Sequence, residues 1–177
     1  HRFNTMSNYN IAGNLRQVAI DELVFNPNVG IQHVVTTHKG TLPSVEGERK
    51  NVAFGAKVQS SSDLDSITKA SYINDENNGT LWIGGKKDQA WVSIDLGSVL
   101  PVQRIEIFVE YPIYAYAYKL EISDNGKIWK TVDDQMENKK IGSPMFLDKK
   151  LNARFVKVTM PNKKGTPRPG IWELKVY

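Results

Sequence analysis

The sequence has no cysteine, few histidines and no long apolar run, and each absence excludes a class of protein. Without cysteine, neither a disulfide framework nor thiol chemistry is available. The only histidines are His1, His33 and His38, so the rest of the chain cannot form a serine–histidine–aspartate grouping. No apolar run approaches the roughly 20 residues of a membrane-spanning helix. The sequence has no glycine-rich loop of the type that binds phosphate. It also has no recognisable pair of carboxylates of the kind that flanks a glycosidic bond in a glycosidase. We therefore expect no catalytic site in this chain.

Much of the net charge of +4 comes from pairs of adjacent lysines. They are Lys86-Lys87, Lys139-Lys140, Lys149-Lys150 and Lys163-Lys164. Each pair lies in a predicted turn or loop, and the pairs are not interleaved with aromatic residues as on a nucleic-acid-binding surface. We interpret them as solvated loop residues and expect no nucleic-acid partner.

Alternation of apolar and polar residues is the main structural signal. It occurs in residues 91–97, 102–110, 118–122, 154–160 and 171–177. Period-two segments of this length, separated by turn residues, indicate an antiparallel β-sandwich. The run Asp124-Asn125-Gly126-Lys127 predicts a hairpin turn, because Asn and Gly tolerate positive φ. Helical periodicity is absent, apart from a short helical turn predicted near residues 66–70.

Residues 39–50 are polar and contain Gly, Pro and charges, which predicts a linker or domain boundary. Before it, residues 16–25 and 31–35 have strand-like patterns, and the turn at residues 26–30 joins them as a hairpin. A lone hairpin is marginally stable in water, so this segment is expected to pack on something else.

An oxygen-rich loop and a lone carboxylate on the last strand form a candidate metal site. Asp75, Asn77 and Asn78 offer side-chain oxygens, and Gly79 permits a sharp turn. Calcium takes six to eight oxygen ligands, so one loop cannot surround it alone. Glu173 lies on an otherwise apolar strand, where an unpaired buried carboxylate is costly, and is the natural residue to close the site. The alternative is a ligand-free Asx-rich turn with Glu173 exposed at an edge.

Aromatic residues divide into two groups. Trp82, Trp91, Trp129 and Trp172 occupy strand or strand-flanking positions and are interpreted as core residues. Residues 111–116 instead place three tyrosines between two strands. Aromatic faces stack on the C–H faces of pyranose rings, which favours a sugar-binding role. The alternative is that these tyrosines pack on each other or on the N-terminal segment.

Three segments carry a family resemblance: ASYINDENNGTLW at residues 70–82, WVSIDLG at residues 91–97 and IWELKVY at residues 171–177. They resemble the discoidin family, also called the coagulation factor 5/8 type C domain, whose bacterial members include family 32 carbohydrate-binding modules. The resemblance implies an all-β antiparallel sandwich of the jelly-roll, galactose-binding-like type over residues 51–177.

The resemblance also implies a structural calcium ion. Its implied ligands are the carbonyls of Tyr72, Thr80 and Trp172, the side chains of Asp75 and Asn77, and the carboxylate of Glu173. The family usually has glycine after the aspartate, whereas this sequence has Glu76 there. An ion surrounded in this way by protein ligands is expected to be structural and not catalytic.

Discoidin-type modules bind sugars on loops at one end of the sandwich. The equivalent loops here are residues 60–67, 83–90, 111–116 and 162–170, and their candidate sugar ligands are Asp63, Lys86, Tyr111, Tyr114 and Arg168. Replacing Tyr114 or Arg168 is expected to weaken binding without changing the melting temperature. Lipid-binding members of the family insert exposed apolar side chains at their loop tips. Ile83, Ile113 and Tyr114 would supply such side chains here. The loops are mostly polar, however, so a membrane is not the expected partner.

The N-terminal segment has a second resemblance, carried by residues 1–3, 15–26 and 35–40. It looks like the end of a family 43 glycoside hydrolase, a five-bladed β-propeller whose catalytic carboxylates lie in earlier blades. The implied organisation is a propeller remnant at 1–42, a linker at 43–50 and the module at 51–177.

These resemblances imply a non-catalytic carbohydrate-binding module that targets an attached glycoside hydrolase to a polysaccharide. Its partners would be that polysaccharide and the catalytic domain of the same polypeptide. The protein would be secreted, periplasmic or on the bacterial cell surface. The alternatives are a structural module packed against the propeller and a protein- or lipid-binding discoidin domain.

Overall fold

The computed structural model describes residues 50–86 and 88–177 together with the backbone of residues 25–26 and 30–31. The chain divides into two compact units, His1–Arg49 and Lys50–Tyr177. No helix in this described part of the chain has the length and apolar character needed to cross a membrane.

In the first unit, strands β1 (Phe25–Asn26) and β2 (Gly30–Ile31) pair antiparallel. This pairing confirms the hairpin predicted across the turn at residues 26–30. The longer strand patterns and most of the predicted propeller remnant at 1–42, as well as nearly all of the linker at 43–50, lie outside the described residues.

The second unit is built of antiparallel strands and one short 3-10 helix, Ala70–Asn74. Its strands are β3 (Lys57–Ser60), β4 (Trp82–Ile83), β5 (Gln89–Val109), β6 (Tyr118–Ser123), β7 (Lys130–Gln135), β8 (Met145–Pro161) and β9 (Gly170–Val176). The predicted all-β antiparallel class is confirmed. The hairpin at residues 124–127 is also confirmed, with Gly126 at a φ of 71° between β6 and β7. The helical turn occurs slightly later than predicted.

Strands β5 and β8 are long because each contributes to both layers of the sandwich. The first layer has the order β3–β5–β8–β6–β7 and uses the start of β5 and the end of β8. The second layer has the order β4–β9–β5–β8 and uses the other half of each long strand. Register shifts between Asp95 and Leu100, and between Val102 and Arg104, mark the region where β5 passes between layers. The two strands predicted at 91–97 and 102–110 are therefore one strand.

Inward-facing apolar side chains from both layers form one core. Its members include Val92, Ile94, Ile107, Val158 and Leu174. Burying a side chain of this size contributes about 1.5–3 kcal/mol, so the alternating apolar positions supply most of the driving force for this fold.

Only one of the four tryptophans predicted to be in the core is fully buried, namely Trp82. Trp129 lies outside the core, with its ring 3.9 Å from the ammonium of Lys157 and in edge contact with Phe155. The core prediction for Trp129 is wrong because this residue precedes β7 in the hairpin turn, where strand alternation does not apply. Trp91 and Trp172 are half-buried like Trp129 and do not belong to the core, so the core prediction is confirmed for Trp82 alone.

Hydrogen bonds gather the four predicted sugar-binding loops at one end of the sandwich, called here the loop end. Asp63 forms a backbone bridge with Gly84, whose N–H donates to the carbonyl of Pro169 at 2.9 Å. The side-chain amide of Asn162 donates to the carbonyl of Gly85 at 2.7 Å. Strand β6 runs from the loop end to the opposite end, where residues 96–101, 124–129 and 149–152 lie; this is called the far end.

Candidate functional site

Glu173 is a fully buried carboxylate without a hydrogen-bond partner among the described residues. On β9, Ile171 and Leu174 both belong to the core, because a bulge at Trp172 breaks the strand alternation. Glu173 therefore lies on the side of β9 away from Leu174, where the strand contacts the 3-10 helix that leads into the oxygen-rich loop. An unpaired buried charge is costly, so this side chain needs either a proton or a cation.

The electrostatics of Glu173 also favour a cation. Burial raises the pKa of Glu173 to about 8. The positive charge of Lys175 opposes this effect, whereas the negative charges of Asp75 and Glu76 strengthen it. A divalent cation between these groups would instead lower the pKa of Glu173. It would attract the ionised form of Glu173 and offset the negative charges of Asp75 and Glu76.

The loop at residues 75–80 is organised around the carboxylate of Asp75. The hydroxyl of Thr80 donates to its two oxygens at 3.0 and 2.8 Å, and the N–H of Asn77 donates to Oδ1 at 3.0 Å. The N–H of Gly79 in turn donates to Oδ1 of Asn77 at 3.0 Å. Carboxylate and amide oxygens have further lone pairs, so these bonds preorganise the oxygens without exhausting them as metal ligands.

The predicted metal ligands therefore lie on neighbouring segments. Asp75, Asn77 and Thr80 share one hydrogen-bonded loop, and the charge of Asp75 acts on Glu173. Tyr72 lies in the 3-10 helix just before that loop, and Trp172 precedes Glu173 on β9. No group of three or more His, Cys, Asp or Glu side chains arranged to hold a metal occurs among the described residues. The oxygen set found here relies on amide and carbonyl groups, which calcium accepts and which many transition metals do not favour.

Glu76 takes the backbone conformation for which the family usually has glycine. Its φ is 54°, and it is the one non-glycine residue with positive φ in the described part of the chain. This left-handed conformation costs a residue with a Cβ about 1–2 kcal/mol. The departure from the family pattern is thus accompanied by backbone strain at Glu76.

Replacing Glu76 with glycine is therefore expected to stabilise the protein relative to Glu76→Gln. Both variants remove the negative charge, so their difference isolates the backbone strain. After allowing for the greater flexibility of unfolded glycine, we expect a net gain of about 0.5–1 kcal/mol in the free energy of unfolding. Urea denaturation of the two variants measures it. A glutamine variant as stable as the glycine variant would show that position 76 is not strained.

At the loop end, Arg168 is held by a buried carboxylate, Glu110. Its Nε donates to Oε2 of Glu110 at 2.7 Å, and its Nη2 donates to Oε1. Glu110 is 2% exposed, whereas the Arg168 side chain is 36% exposed. The glycine at position 170 makes room for this pair, since a Cβ there would lie 2.7 Å from Oε2 of Glu110. The bidentate pair fixes the guanidinium, which also interacts with the Tyr111 side chain.

Two tyrosines adjoin this ion pair. Tyr111 lies beside both of its members: burial raises the pKa of Tyr111, the Glu110 carboxylate adds to that effect, and Arg168 opposes it. The rings of Tyr111 and Tyr114 meet edge to face, with centroids 5.8 Å apart. Tyr114 is 49% exposed, so its ring face is accessible. Tyr111, Tyr114 and Arg168 thus form one surface, called here the tyrosine–arginine surface.

The other two predicted sugar ligands have different surroundings. The carboxylate of Asp63 accepts hydrogen bonds within the fold, from Ser60 Oγ at 2.8 Å and from Trp82 Nε1 at 3.1 Å. Lys86 is exposed, and no contact between described residues joins it to the tyrosine–arginine surface. Ile83, predicted as an exposed apolar side chain at a loop tip, is buried because it pairs with Gly170 in the sheet, so that expectation is wrong.

Comparisons with known proteins agree with this geometry. The F5/8 type C domain model matches residues 57–174, and the chain belongs to this family. No curated protein matches the sequence.

Several solved structures are similar. One is the family 32 carbohydrate-binding module CpGH89CBM32-4 from Clostridium perfringens, in complex with GlcNAc-α-1,4-galactose. It is 23% identical, and the match has a TM-score of 0.65 and covers 75% of this chain and 96% of that chain. Another is chitosan-binding module 1 of a Paenibacillus sp. IK-5 chitosanase/glucanase, 25% identical with a TM-score of 0.64, over 73% and 99%. A glycoside hydrolase is 24% identical with a TM-score of 0.64, over 89% of this chain and 38% of its own.

Proposed function

We propose that the second unit is a non-catalytic carbohydrate-binding module that targets an attached glycoside hydrolase to a polysaccharide. The tyrosine–arginine surface carries this proposal, because it joins an accessible aromatic face to a fixed hydrogen-bond donor at the loop end. The family membership and the similarity to modules solved with oligosaccharides support it.

Each part of this surface has a distinct role in the proposed binding. The ring of Tyr114 stacks on the apolar face of a pyranose, and the exposed part of the Arg168 guanidinium donates to the sugar hydroxyl groups. Glu110 orients Arg168 and balances its charge, so a neutral sugar bound there faces no uncompensated charge. The surface is shallow, so each contact is weak, and function comes from the raised local concentration of the tethered enzyme.

Replacing Tyr114 with alanine is expected to remove most sugar binding. Loss of a stacking aromatic removes the largest apolar contact with the ligand, so we expect a drop of about tenfold or more in affinity. The assay is a glycan array, followed by calorimetry with the best-bound sugar. Phe54→Ala is the matched control, because Phe54 is an aromatic residue outside the four loops that is at least as exposed as Tyr114. Equal binding by the wild type and Tyr114→Ala would show that the surface does not bind sugar.

We propose a calcium ion as the structural partner of Glu173. The unpartnered buried carboxylate and the preorganised oxygens of Asp75 and Asn77 support this assignment. The remaining ligands would be the carbonyls of Tyr72, Thr80 and Trp172. The ion would supply positive charge and cross-link β9 to the loop, with no role in catalysis.

The parent protein is proposed to be a family 43-like glycoside hydrolase that is secreted, periplasmic or on the cell surface. The similarity to a solved glycoside hydrolase supports a glycoside hydrolase as the parent. The match covers 89% of this chain, so it extends beyond the second unit, Lys50–Tyr177. Sequencing the gene upstream of His1 tests it. A neighbouring segment without five propeller blades would contradict it.

One observation favours the alternative of protein or lipid binding. Ile113 and Ile141 are 69% and 68% exposed, and a hydrogen bond from Gly142 to Pro112 brings their loops together beside Tyr114. Such an apolar tip could also insert into a bilayer or a partner protein. Vesicle sedimentation separates the possibilities: if Ile113→Ser abolishes vesicle binding and leaves array binding unchanged, the lipid function is real.

A further inference from the structure

We propose that a groove at the far end of the sandwich binds an anionic polysaccharide, independently of the tyrosine–arginine surface. The groove has a volume of about 850 Å³ and opens where β5, β6, the start of β7 and β8 meet. Its lining combines apolar side chains with two lysines and three amide side chains, and these five residues are called here the rim. The rim residues are Gln103, Asn125, Lys130, Lys150 and Asn152. A volume of this size is typical of small-molecule and oligosaccharide sites.

A bulge in the sheet places one of these lysines at the groove. Val102 pairs with Leu151 and Arg104 pairs with Asp148, so the single residue Gln103 on β5 faces both Lys149 and Lys150 on β8. The lysine pair was expected in a loop, and its position within β8 corrects that expectation. Bulges re-aim side chains, and this one directs Lys150 to the rim, while Lys130 begins β7 on another part of the same rim.

The two groove lysines lack an acidic partner among the described residues, unlike the cations of this unit that form ion pairs. Arg104, Arg154, Lys157 and Arg168 each form an ion pair with a carboxylate. Lys130 and Lys150 form no ion pair with any described residue, and Asp124 is the sole acidic residue of the groove lining. Two uncompensated cations beside one carboxylate give this groove a positive potential, which favours an anionic ligand.

The remaining chemistry of the groove favours a saccharide over other anions. Its lining has no aromatic residue on which a nucleic-acid base could stack. Amide side chains both donate and accept, which suits hydroxyl groups, while the lysines suit carboxylates or sulfates. A polyuronate chain combines these features.

Binding of polygalacturonate at low ionic strength tests the proposal, with the methyl-esterified polymer as the uncharged comparison. We expect the wild type to bind the acid and not the ester, and Lys130→Gln/Lys150→Gln to lose about tenfold in affinity. The matched control is Lys139→Gln/Lys140→Gln, which removes two exposed charges outside the groove and should bind like the wild type. Affinity electrophoresis measures binding, and melting temperatures confirm that the variants are folded.

Three results would overturn the proposal. They are equal losses in the two double variants, equal binding of the ester, and equally tight binding of polyglutamate through the same two lysines. The last result would assign the groove to an acidic polypeptide. Tyr114→Ala should bind polygalacturonate like the wild type, so failure of the groove proposal and failure of the sugar surface at the loop end are distinguishable.

Discussion

Chelation of calcium is expected to lower the melting temperature of the protein by roughly 5–15 °C. A ligand that binds only the folded state at one hundred times its Kd adds about 2.7 kcal/mol to stability, and a domain of this size converts that into several degrees. Removing the ion also exposes the cost of the buried Glu173 carboxylate, which no described residue compensates. Differential scanning calorimetry in calcium and in EDTA measures the shift.

Two substitutions separate loss of the ion from loss of a side chain. Asp75→Ala should melt in calcium at the temperature of the chelated wild type. Glu173→Gln removes the buried charge, so it should be insensitive to calcium and more stable than the wild type in EDTA. Glu137→Gln, at an exposed acidic residue in a turn, is the matched control. A Glu173→Gln variant that still responds fully to calcium would contradict the assigned site.

The effect of pH on the metal-free protein has a defined sign. Because the pKa of Glu173 is about 8 in the folded protein and near 4.5 when unfolded, the folded state holds the extra proton between these values. Stability in EDTA should therefore fall as the pH rises from about 5 to 8. Calcium keeps the carboxylate ionised, so the difference between the two buffers should widen over the same range. A difference that narrows would contradict this account.

Removing Arg168 is expected to destabilise the protein by about 2–3 kcal/mol, because it leaves the buried carboxylate of Glu110 without its partner. The value lies below that of a fully buried pair, since Arg168 is partly exposed. This result would replace the expectation that Arg168 can be changed without an effect on the melting temperature. Urea denaturation of Arg168→Ala measures it.

A double-mutant cycle gives this prediction a matched control. Glu110→Gln/Arg168→Ala has no buried charge, so it should be more stable than Arg168→Ala alone, even though it carries one more substitution. Additive losses would show that the ion pair contributes nothing beyond its separate side chains. For binding studies, Tyr114→Ala is the cleaner probe, because Tyr114 contacts neither member of the pair in the described hydrogen bonds.

The sequence alone predicted the features that depend on the type of residue at individual positions. Alternation located the inward residues of β5, β6, β8 and β9, and Asn125-Gly126 located the β6–β7 hairpin. The cost of an unpaired carboxylate among apolar residues pointed to Glu173, which the structure buries completely. The same argument applied to Glu110, at the end of the alternating segment 102–110, would have predicted a buried ion pair, but its partner is 58 residues away.

Features set by register could not be predicted in this way. The bulges that make β5 one continuous strand, and that expose Lys149 and Lys150 opposite Gln103, depend on how two distant segments align. Alternation within β7 is weak, because most of its side chains are exposed or half-buried, so this strand was missed. The placement of Trp129 on Lys157 likewise depends on a contact between strands and not on local pattern.

Backbone amide chemical shifts during titration with the best-bound neutral saccharide test the central claim most directly. The account predicts that the largest changes fall on the loop end, at Tyr111, Tyr114, Arg168 and the residues that flank them. Amides of the far end, such as Asn125 and Lys150, should not move. Changes centred on the far end, or no change with any neutral saccharide that a glycan array selects, would contradict it.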